Sequence, residues 1–542
     1  MAFINYGKKR FLIVDNIKPS RDALKQFALS LNASRIDSTL YPSDVVAMCK
    51  NIAYDIIFLG YDLGEDQKNG QQLLEELRTS NAIARQCIVI IITAESSQAM
   101  VLAALEHKPD DYLTKPYTVN ELTKRLDRCT HRKESMSAIY QALDDNNHKK
   151  IIRLCNEAVE NGTPYRLECL GIISRQYFEL EQFKLAEKIF ISNQDKPNCQ
   201  WANIGLGKIA LSENKIPSAI HLFNQVKQHY PSYLDTYDWL AEAYQALEEF
   251  QKAEDVLEQA LFISPRSVAR LKCYAELCLN NEHYEKASDA FLQTTDLAYN
   301  SIHHHPDNAL KFASSLAQYS SEISVHLAKR LNNKAFKALA SMTKEFNQIE
   351  LKIQSNLLSA CLFKNINESR SATEMFTQAK KLLDKSQDTI APLSLIEMCK
   401  SLLKLNEFSS AQQLVTSLIE RCADDLEIMT QIDKLSESPL GEFDKSKAQQ
   451  ALNVAASLYK NKDYTSAINK LRRALKLYPE HLGIKLNLTQ ALLIAYESNP
   501  EAKKNLNQAG TIISSLNQSV RNKNTNLRYI KLKDKYDQLK AG

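Results

Sequence analysis

The sequence predicts an α/β doubly wound domain at the N-terminus followed by an all-α superhelical solenoid. Three observations carry this expectation. Near the N-terminus lie three short, almost wholly apolar runs, Phe11–Val14, Asp55–Leu59 and Ile88–Ile92, with helical patterns between them. From about residue 135 onward such runs stop and helical periodicity takes over. Within that second region, paired small and large apolar residues recur at spacings of 33, 34 and 34.

The bulk composition agrees. A chain of 542 residues is too long for one hydrophobic core. Apolar residues make up 44% and charged residues 24%, as in ordinary soluble proteins. Gly and Pro number 12 and 14, well under their usual share of roughly 7% and 5%. Few turn formers imply few turns and long helices. A net charge of +4 over this length argues against attraction to nucleic acid or a membrane surface. The 11 cysteines contain no CxxC spacing, and an odd number without a framework suits a reducing compartment. Without a signal-peptide core or an apolar run of roughly 20 residues, the chain reads as cytoplasmic.

Runs such as Phe11–Val14 suit parallel strands buried on both faces. Helical patterns at 71–78 and 100–105 alternate with them, which implies a doubly wound sheet whose site forms at the carboxyl ends of the strands. Polar residues stand at those ends: Asp15 and Asn16, Thr93, and Lys115-Pro116 after Asp110-Asp111-Tyr112-Leu113.

With Asn69-Gly70-Gln-Gln-Leu-Leu, Ile-Thr-Ala and Asp-Asp-Tyr-Leu-Thr-Lys-Pro in this order, the segment from about residue 9 to 130 resembles a response-regulator receiver domain, a CheY-like and flavodoxin-like fold. The resemblance implies a pocket of Asp15, Asn16, Gly60, Asp62, Thr93, Tyr112 and Lys115. In that family two acids after the first strand and an Asp after the third hold Mg²⁺, and the third-strand Asp accepts the phosphoryl group. Here the second acid is Asn16 and the acceptor position is Gly60. A phosphoryl acceptor needs a carboxylate, and Mg²⁺ wants anionic oxygens. The receiver therefore reads as degenerate, without a phosphosite, a catalytic residue or a cofactor. Asp62, two residues on, is either a solvated loop acid or a substitute acceptor. Thr93 and Lys115 are either structural remnants or contacts for a ligand; Lys115 is positioned by type to bond Asp15.

The helical part resembles tetratricopeptide repeats. Ala186…Phe190, Ala219…Phe223, Ala253…Leu257 and Ala287…Phe291 share one register, near the 34-residue period of that repeat. Leu206-Gly207, Tyr177, Tyr244, Ala260, Pro231 and Pro265 fit its pattern, and turns such as Glu248-Glu249 and Asn281-Glu282 precede the second helices. The expected organisation is a receiver over 1–130, connecting helices or a divergent first repeat over 131–165, and a well-formed array over 166–300. Degenerate repeats follow over 301–432, with second helices at Ala372 and Ala411, 39 apart. A loop is expected over 433–446, then a cleaner repeat with Pro479 and a capping helix at about 505–540, within 447–542.

Stacked helical hairpins present a concave surface that binds a peptide, helix or domain. By register, its lining includes Arg175, Phe178, Trp201, Lys208, Asp235, Asp238, Glu242 and Lys272. Trp201 serves either as an anchor for a partner or as packing between helices. The mixed charge suggests a polar groove rather than a clamp for a terminal carboxylate. His303-His304-His305 reads as a solvated loop, not a metal site. No catalytic signature such as a P-loop, a nucleophile elbow or HExxH is present.

The whole is similar to bacterial response regulators with a tetratricopeptide output, and its domain order to auxiliary regulators of the VieB type. That resemblance implies a non-enzymatic adaptor acting on a histidine kinase or another response regulator, with homodimerisation through the receiver an open option. The alternative is a phosphorylation-independent scaffold for a protein complex.

Overall fold

The structure is a computed structural model. It describes residues 4–65, 67–94, 97, 101–102, 106–422, 425, 428, 431–432, 435, 442–477, 481–499, 502–516 and 523–541. The expected helix at 100–105 and Pro479 fall wholly or largely outside the described residues. The chain divides into two compact units, Met1–Ser315 and Leu316–Gly542.

The first unit opens with a sheet of five parallel strands: β1 (Arg10–Val14), β2 (Arg35–Thr39), β3 (Ile56–Gly60), β4 (Ile88–Thr93) and β5 (Asp111–Thr114), in the order β2-β1-β3-β4-β5. Alternate residues of the apolar runs face opposite sides. Leu12, Val14, Ile57, Leu59, Val89 and Ile91 pack with Leu73, Leu74 and Leu77 on one face. Phe11, Ile13, Ile56, Phe58, Ile88 and Ile90 pack with Leu24, Phe27 and Leu122 on the other. Burial on both faces is why these strands read as continuous hydrophobic runs. Strand β2, Arg-Ile-Asp-Ser-Thr, was not expected from the sequence. It lies at the sheet edge and is only partly buried, so it lacks the apolar run that marks its neighbours.

Helices α1 (Lys18–Ser30), α2 (Pro42–Asn51), α3 (Gly70–Thr79) and α4 (Val119–Ser135) complete the described receiver. Helix α3 starts on a capping box, with Asn69 and Gln72 exchanging hydrogen bonds to each other's backbone. Helix α4 runs through the expected boundary at 130 to Ser135, since nothing in Thr130–Ser135 breaks a helix.

Helical hairpins follow: α5 (Ser137–Asp144) with α6 (His148–Glu160), α7 (Arg166–Glu179) with α8 (Phe183–Ile191), α9 (Gln200–Ser212) with α10 (Ile216–His229), α11 (Asp235–Ala246) with α12 (Phe250–Ile263), and α13 (Val268–Asn280) with α14 (Tyr284–Ala298). The second residue past each first helix adopts a left-handed conformation: Asn146, Glu181, Asn214, Glu248 and Glu282. The next N–H returns to a carbonyl five residues back, as Gln182 to Tyr177 at 2.8 Å and Lys215 to Ala210 at 2.7 Å. This Schellman closure satisfies the helix-end carbonyls and turns the chain back. The turn recurs at the spacing of the apolar pairs, all of which are buried. Phe190 and Phe223 pack where side chains on Gly205 and Gly207 would lie, a Cβ there meeting the rings at 2.2 Å. Helix α15 (Pro306–Tyr319) contains the division between the units.

The second unit is helical throughout its described residues: α16 (Val325–Glu345), α17 (Ile349–Asn365), α18 (Ser369–Ser386), α19 (Pro392–Lys404), α20 (Phe408–Arg421), α21 (Glu442–Lys460), α22 (Tyr464–Leu477), α23 (Leu482–Ser498), α24 (Lys503–Leu516) and α25 (Lys523–Ala541). The same left-handed turn recurs at Asn367, Asn406 and Lys462. One core gathers around Leu395, Leu402 and Leu418, another around Leu452, Leu488 and Leu516.

Two expectations change here. The loop drawn over 433–446 ends sooner, because α21 begins at Glu442 directly after the last breaker, Gly441; residues 433–434 and 436–441 lie outside the described residues. The stretch at 505–540 holds two helices, α24 and α25, and not one. Its polar sequence hid the inward faces carrying Ile512, Ile513, Tyr529 and Leu532. Among the described residues, no helix is long and apolar enough to cross a membrane.

Candidate functional site

Parallel register brings Val14, Gly60 and Thr93 to the carboxyl edge of the sheet, with Gly60 beside Ile92 and Thr93 beside Thr114. Asp15 follows β1 and is buried there. Its Oδ1 accepts the Ile17 N–H at 2.8 Å; its Oδ2 accepts from Ser20 Oγ at 2.6 Å and from Lys115 Nζ at 3.0 Å. The sequence-derived pairing of Lys115 with Asp15 therefore forms. Both carboxylate oxygens have protein donors, so the carboxylate is fixed in place by its own chain.

The implied acceptor position is crowded. A Cβ on Gly60 would lie 3.1 Å from Val14 O and 3.2 Å from Leu63 Cδ2, and Leu63 is buried. Behind it, Gly70 begins α3 so close to Gly60 that a Cβ there would meet the Gly60 carbonyl oxygen at 2.3 Å. Asp62 stands outside the pocket: it is exposed, and its Oδ1 accepts the Gly64 N–H at 3.0 Å in a local turn. Asn16 is half-buried, with a buried Oδ1 that has no hydrogen-bond partner among the described residues. Thr93 is buried and Tyr112 partly so, against the α3 face of the sheet. Tyr117 was not singled out from the sequence; burial and the Asp15 charge push its hydroxyl pKa up.

Mg²⁺ sites of this kind need several hard oxygens. Of the implied acid positions only Asp15 carries a carboxylate, and it is engaged by Ser20 and Lys115. The residues present do not fit the ion. Among the described residues no group of three or more His, Cys, Asp or Glu is placed to hold a metal.

The groove positions divide into four sets. Arg175, Asp235 and Glu242 are exposed and surround Lys208 electrostatically. Lys208 lies 4.0 Å from the centre of the Trp239 ring, and burial lowers its pKa. Phe178 and Trp201 pack within the helices, Phe178 on Phe183 at 5.4 Å and Trp201 on Phe190 at 6.0 Å. Lys272 belongs to a neighbouring charged group with Lys311, Asp307 and Glu276. Asp238 is held by the two-pronged guanidinium of Arg270, at 2.8 Å on each oxygen.

The sequence did not reveal that the receiver docks on these helices. Glu106 meets Arg270 and Ser264. Arg266 Nη1 donates to Tyr61 Oη at 3.3 Å, and Gln72 Nε2 donates to Leu297 O at 2.9 Å. His303 Nε2 lies 2.8 Å from Glu75 Oε1, so the His303–His305 segment is not merely a solvated loop. Separations of 158 to 228 residues leave no periodic trace of such contacts in the sequence. A second tie joins α4 to α7, where Arg132 makes a bidentate bridge to Glu168.

With this geometry in view, comparison with known proteins places the N-terminal region. Residues 11–127 match the response regulator receiver domain. The chain is 25% identical over 211 residues to the transcriptional regulatory protein RprY of Bacteroides fragilis, covering 37% of this chain and 85% of that protein. It is 36% identical over 72 residues to the transcriptional regulatory protein KdpE of Staphylococcus aureus, covering 13% and 29%, so it spans under a third of that relative. Solved structures with matching regions include a two-component response regulator from Clostridium difficile, at 26% identity, 23% of this chain, 98% of that one and a TM-score of 0.21. Another is the receiver domain of a putative LuxO repressor protein from Vibrio parahaemolyticus, at 19% identity, 23% and 93% coverage and a TM-score of 0.21. The receiver match ties the N-terminal region to two-component signalling.

Proposed function

We propose that the protein is a non-catalytic adaptor in a two-component phosphorelay, with a receiver that takes no phosphoryl group and tetratricopeptide-type hairpins that hold a second protein. One observation carries the reading: the five-stranded receiver sheet forms, yet the implied acceptor position is a glycine crowded by Leu63. An adaptor of this kind keeps the surface by which a histidine kinase or another regulator recognises a receiver, and does without the chemistry. In this reading Asp15 and Lys115 form an internal ion pair that keeps the emptied pocket shut, and no Mg²⁺ is held. The recurring hairpins, with their 33–34-residue period, support the repeat assignment and the exposed polar positions around Lys208 support protein binding.

The test is affinity capture of tagged full-length protein from its own cells, with a parallel phosphotransfer assay. Recovery of a histidine kinase or response regulator, with no stable phosphoryl group on this chain, supports the adaptor. Stoichiometric phosphorylation abolished by Asp62→Ala overturns it. Recovery of non-signalling proteins alone overturns it in favour of a phosphorylation-independent scaffold.

A further inference from the structure

On the helices that follow the receiver, two buried donors meet one receiver carboxylate. Arg270 is 4% exposed, and Asp238 takes its Nε and Nη2, fixing the plane of the guanidinium. That leaves Nη1, which lies 3.3 Å from Glu106 Oε1. Ser264, fully buried at the end of α12, donates to the same oxygen at 2.6 Å. Two donors from the two helices flanking one turn thus converge on one carboxylate oxygen. The Lys108 charge also acts on Lys208, as the smallest of the influences on its pKa.

The surrounding contacts are of the same polar kind: Arg266 with Tyr61, Gln72 with the Leu297 carbonyl and His303 with Glu75. Such an interface resembles a transient protein contact more than a core. If Glu106 left, a buried hydroxyl and a guanidinium edge would lose their partner; an acceptor oxygen restores both bonds, and a carboxylate does so with the charge that suits a guanidinium. The electrostatic demand therefore selects the chemistry of any replacement.

We propose that Ser264 and Arg270 form a carboxylate-recognition site, plugged by Glu106 of the receiver, which an acidic segment of a partner protein occupies by displacing the receiver. This rests on the adaptor reading, in that it names the chemistry of the protein held by the repeats.

The test uses the full chain and a dye-labelled, end-blocked peptide copying residues 105–110 (Leu-Glu-His-Lys-Pro-Asp), beside the same peptide with Gln for Glu. Peptide binding is read by fluorescence anisotropy, and hydrogen exchange over 264–272 is followed in the same proteins. Removing the plug with Glu106→Ala is expected to raise peptide affinity by about tenfold or more, since a site free less than a tenth of the time weakens apparent binding by that factor. Exchange over 264–272 should quicken in the variant and slow again with peptide. Adding Ser264→Ala or Arg270→Gln to it should abolish the gain; the Ser264 variant covers the case in which Arg270→Gln does not fold.

Equal peptide affinity and equal exchange in wild type and Glu106→Ala overturn the proposal, as does equal binding of the Glu and Gln peptides. The capture experiment separates this from the adaptor reading. If one signalling partner is recovered equally by both chains, the adaptor stands and the plug falls. If the peptide results hold and no signalling protein is recovered, the plug stands and the adaptor falls.

Discussion

Leu63 occupies the approach to Gly60: its Cδ2 stands 3.2 Å from the point where a Cβ at position 60 would lie. The other near neighbour, Val14 O at 3.1 Å, is backbone and yields little. Gly60→Asp is therefore expected to lower stability by about 1–3 kcal/mol, the usual range for overpacking. It should not create a phosphoryl acceptor, because Asn16 still stands at the second acid position. Urea unfolding and intact-protein mass after incubation with acetyl phosphate and Mg²⁺ check both parts; a stable phosphoryl adduct would show that the pocket is one substitution from function.

Acid should loosen the receiver from the helices. Glu75 lies between His303 and His107. Burial pushes its carboxyl up, but the His303 hydrogen bond and the two histidine charges outweigh that and hold it below its ordinary 4.5. Burial lowers His107 below its ordinary 6.5, against the raising effects of Glu75 and Glu106 and with some help from His303. A depressed histidine leaves the folded state with fewer protons, so stability falls as pH drops through 6.5 toward the lowered value. The carboxylate contributes in the same sense below about 4.5. Hydrogen exchange over 69–76 and 301–308, corrected for intrinsic rates, should lose protection between pH 7 and 5. His107→Gln should flatten that change, and an unaltered pH profile in the variant would refute the assignment.

Phe223 rests on Gly207 with no room between them. Gly207→Ala is expected to cost about 1–3 kcal/mol by overpacking, and Phe223→Ala about 3–5 kcal/mol by cavity formation. Combining Gly207→Ala with Phe223→Leu should cost less than the sum of the separate changes, as expected for residues in contact. Thermal unfolding of wild type, the three single variants and the double variant decides; strict additivity would mean that the contact does not set the helix spacing.

Lys133 and Asp110 form an ion pair at 2.9 Å, each side chain about 5% exposed. Lys133→Met leaves Asp110 buried, with Arg78 at 3.9 Å and the Val89 N–H as remaining partners. The expected cost is about 3 kcal/mol, toward the low end for breaking a buried pair. Adding Asp110→Asn should recover part of it. Exchange rates at Val89–Ile91 measure the change, and a rate equal to wild type would mean that the pair carries no stability.

The parts of the fold legible in the sequence were those governed by local periodicity. Phe11–Val14, Asp55–Leu59 and Ile88–Ile92 announced the central strands because both faces of the sheet are covered. The Ala-and-Phe register announced the hairpins because it repeats the same inter-helix contact. Arg35–Thr39 was silent because an edge strand needs no apolar run. Gly60 and Asn16 were legible because they depart from a known pattern at fixed positions. The docking of Glu106 on Arg270 and of Glu75 on His303 was not, since each pair joins residues far apart in the chain, and neither member is unusual alone. Trp201, rare by composition, admitted two readings, an anchor for a partner or packing between helices; it lies against Phe190 and over Gly171.

The two ties between receiver and helices have a consequence for how the first unit comes apart. Arg132 joins α4 to α7, and Arg270 and His303 bring the chain back to the receiver after α12 and α14. The path of contacts therefore closes into a circuit. In an open repeat array each hairpin answers only to its neighbours, and unravelling advances inward from an end. A circuit has no such end: losing one hairpin between residues 137 and 300 strains both ties at once. Residues 137–300 should accordingly unfold as one cooperative block with the receiver, and cutting either tie should restore stepwise fraying.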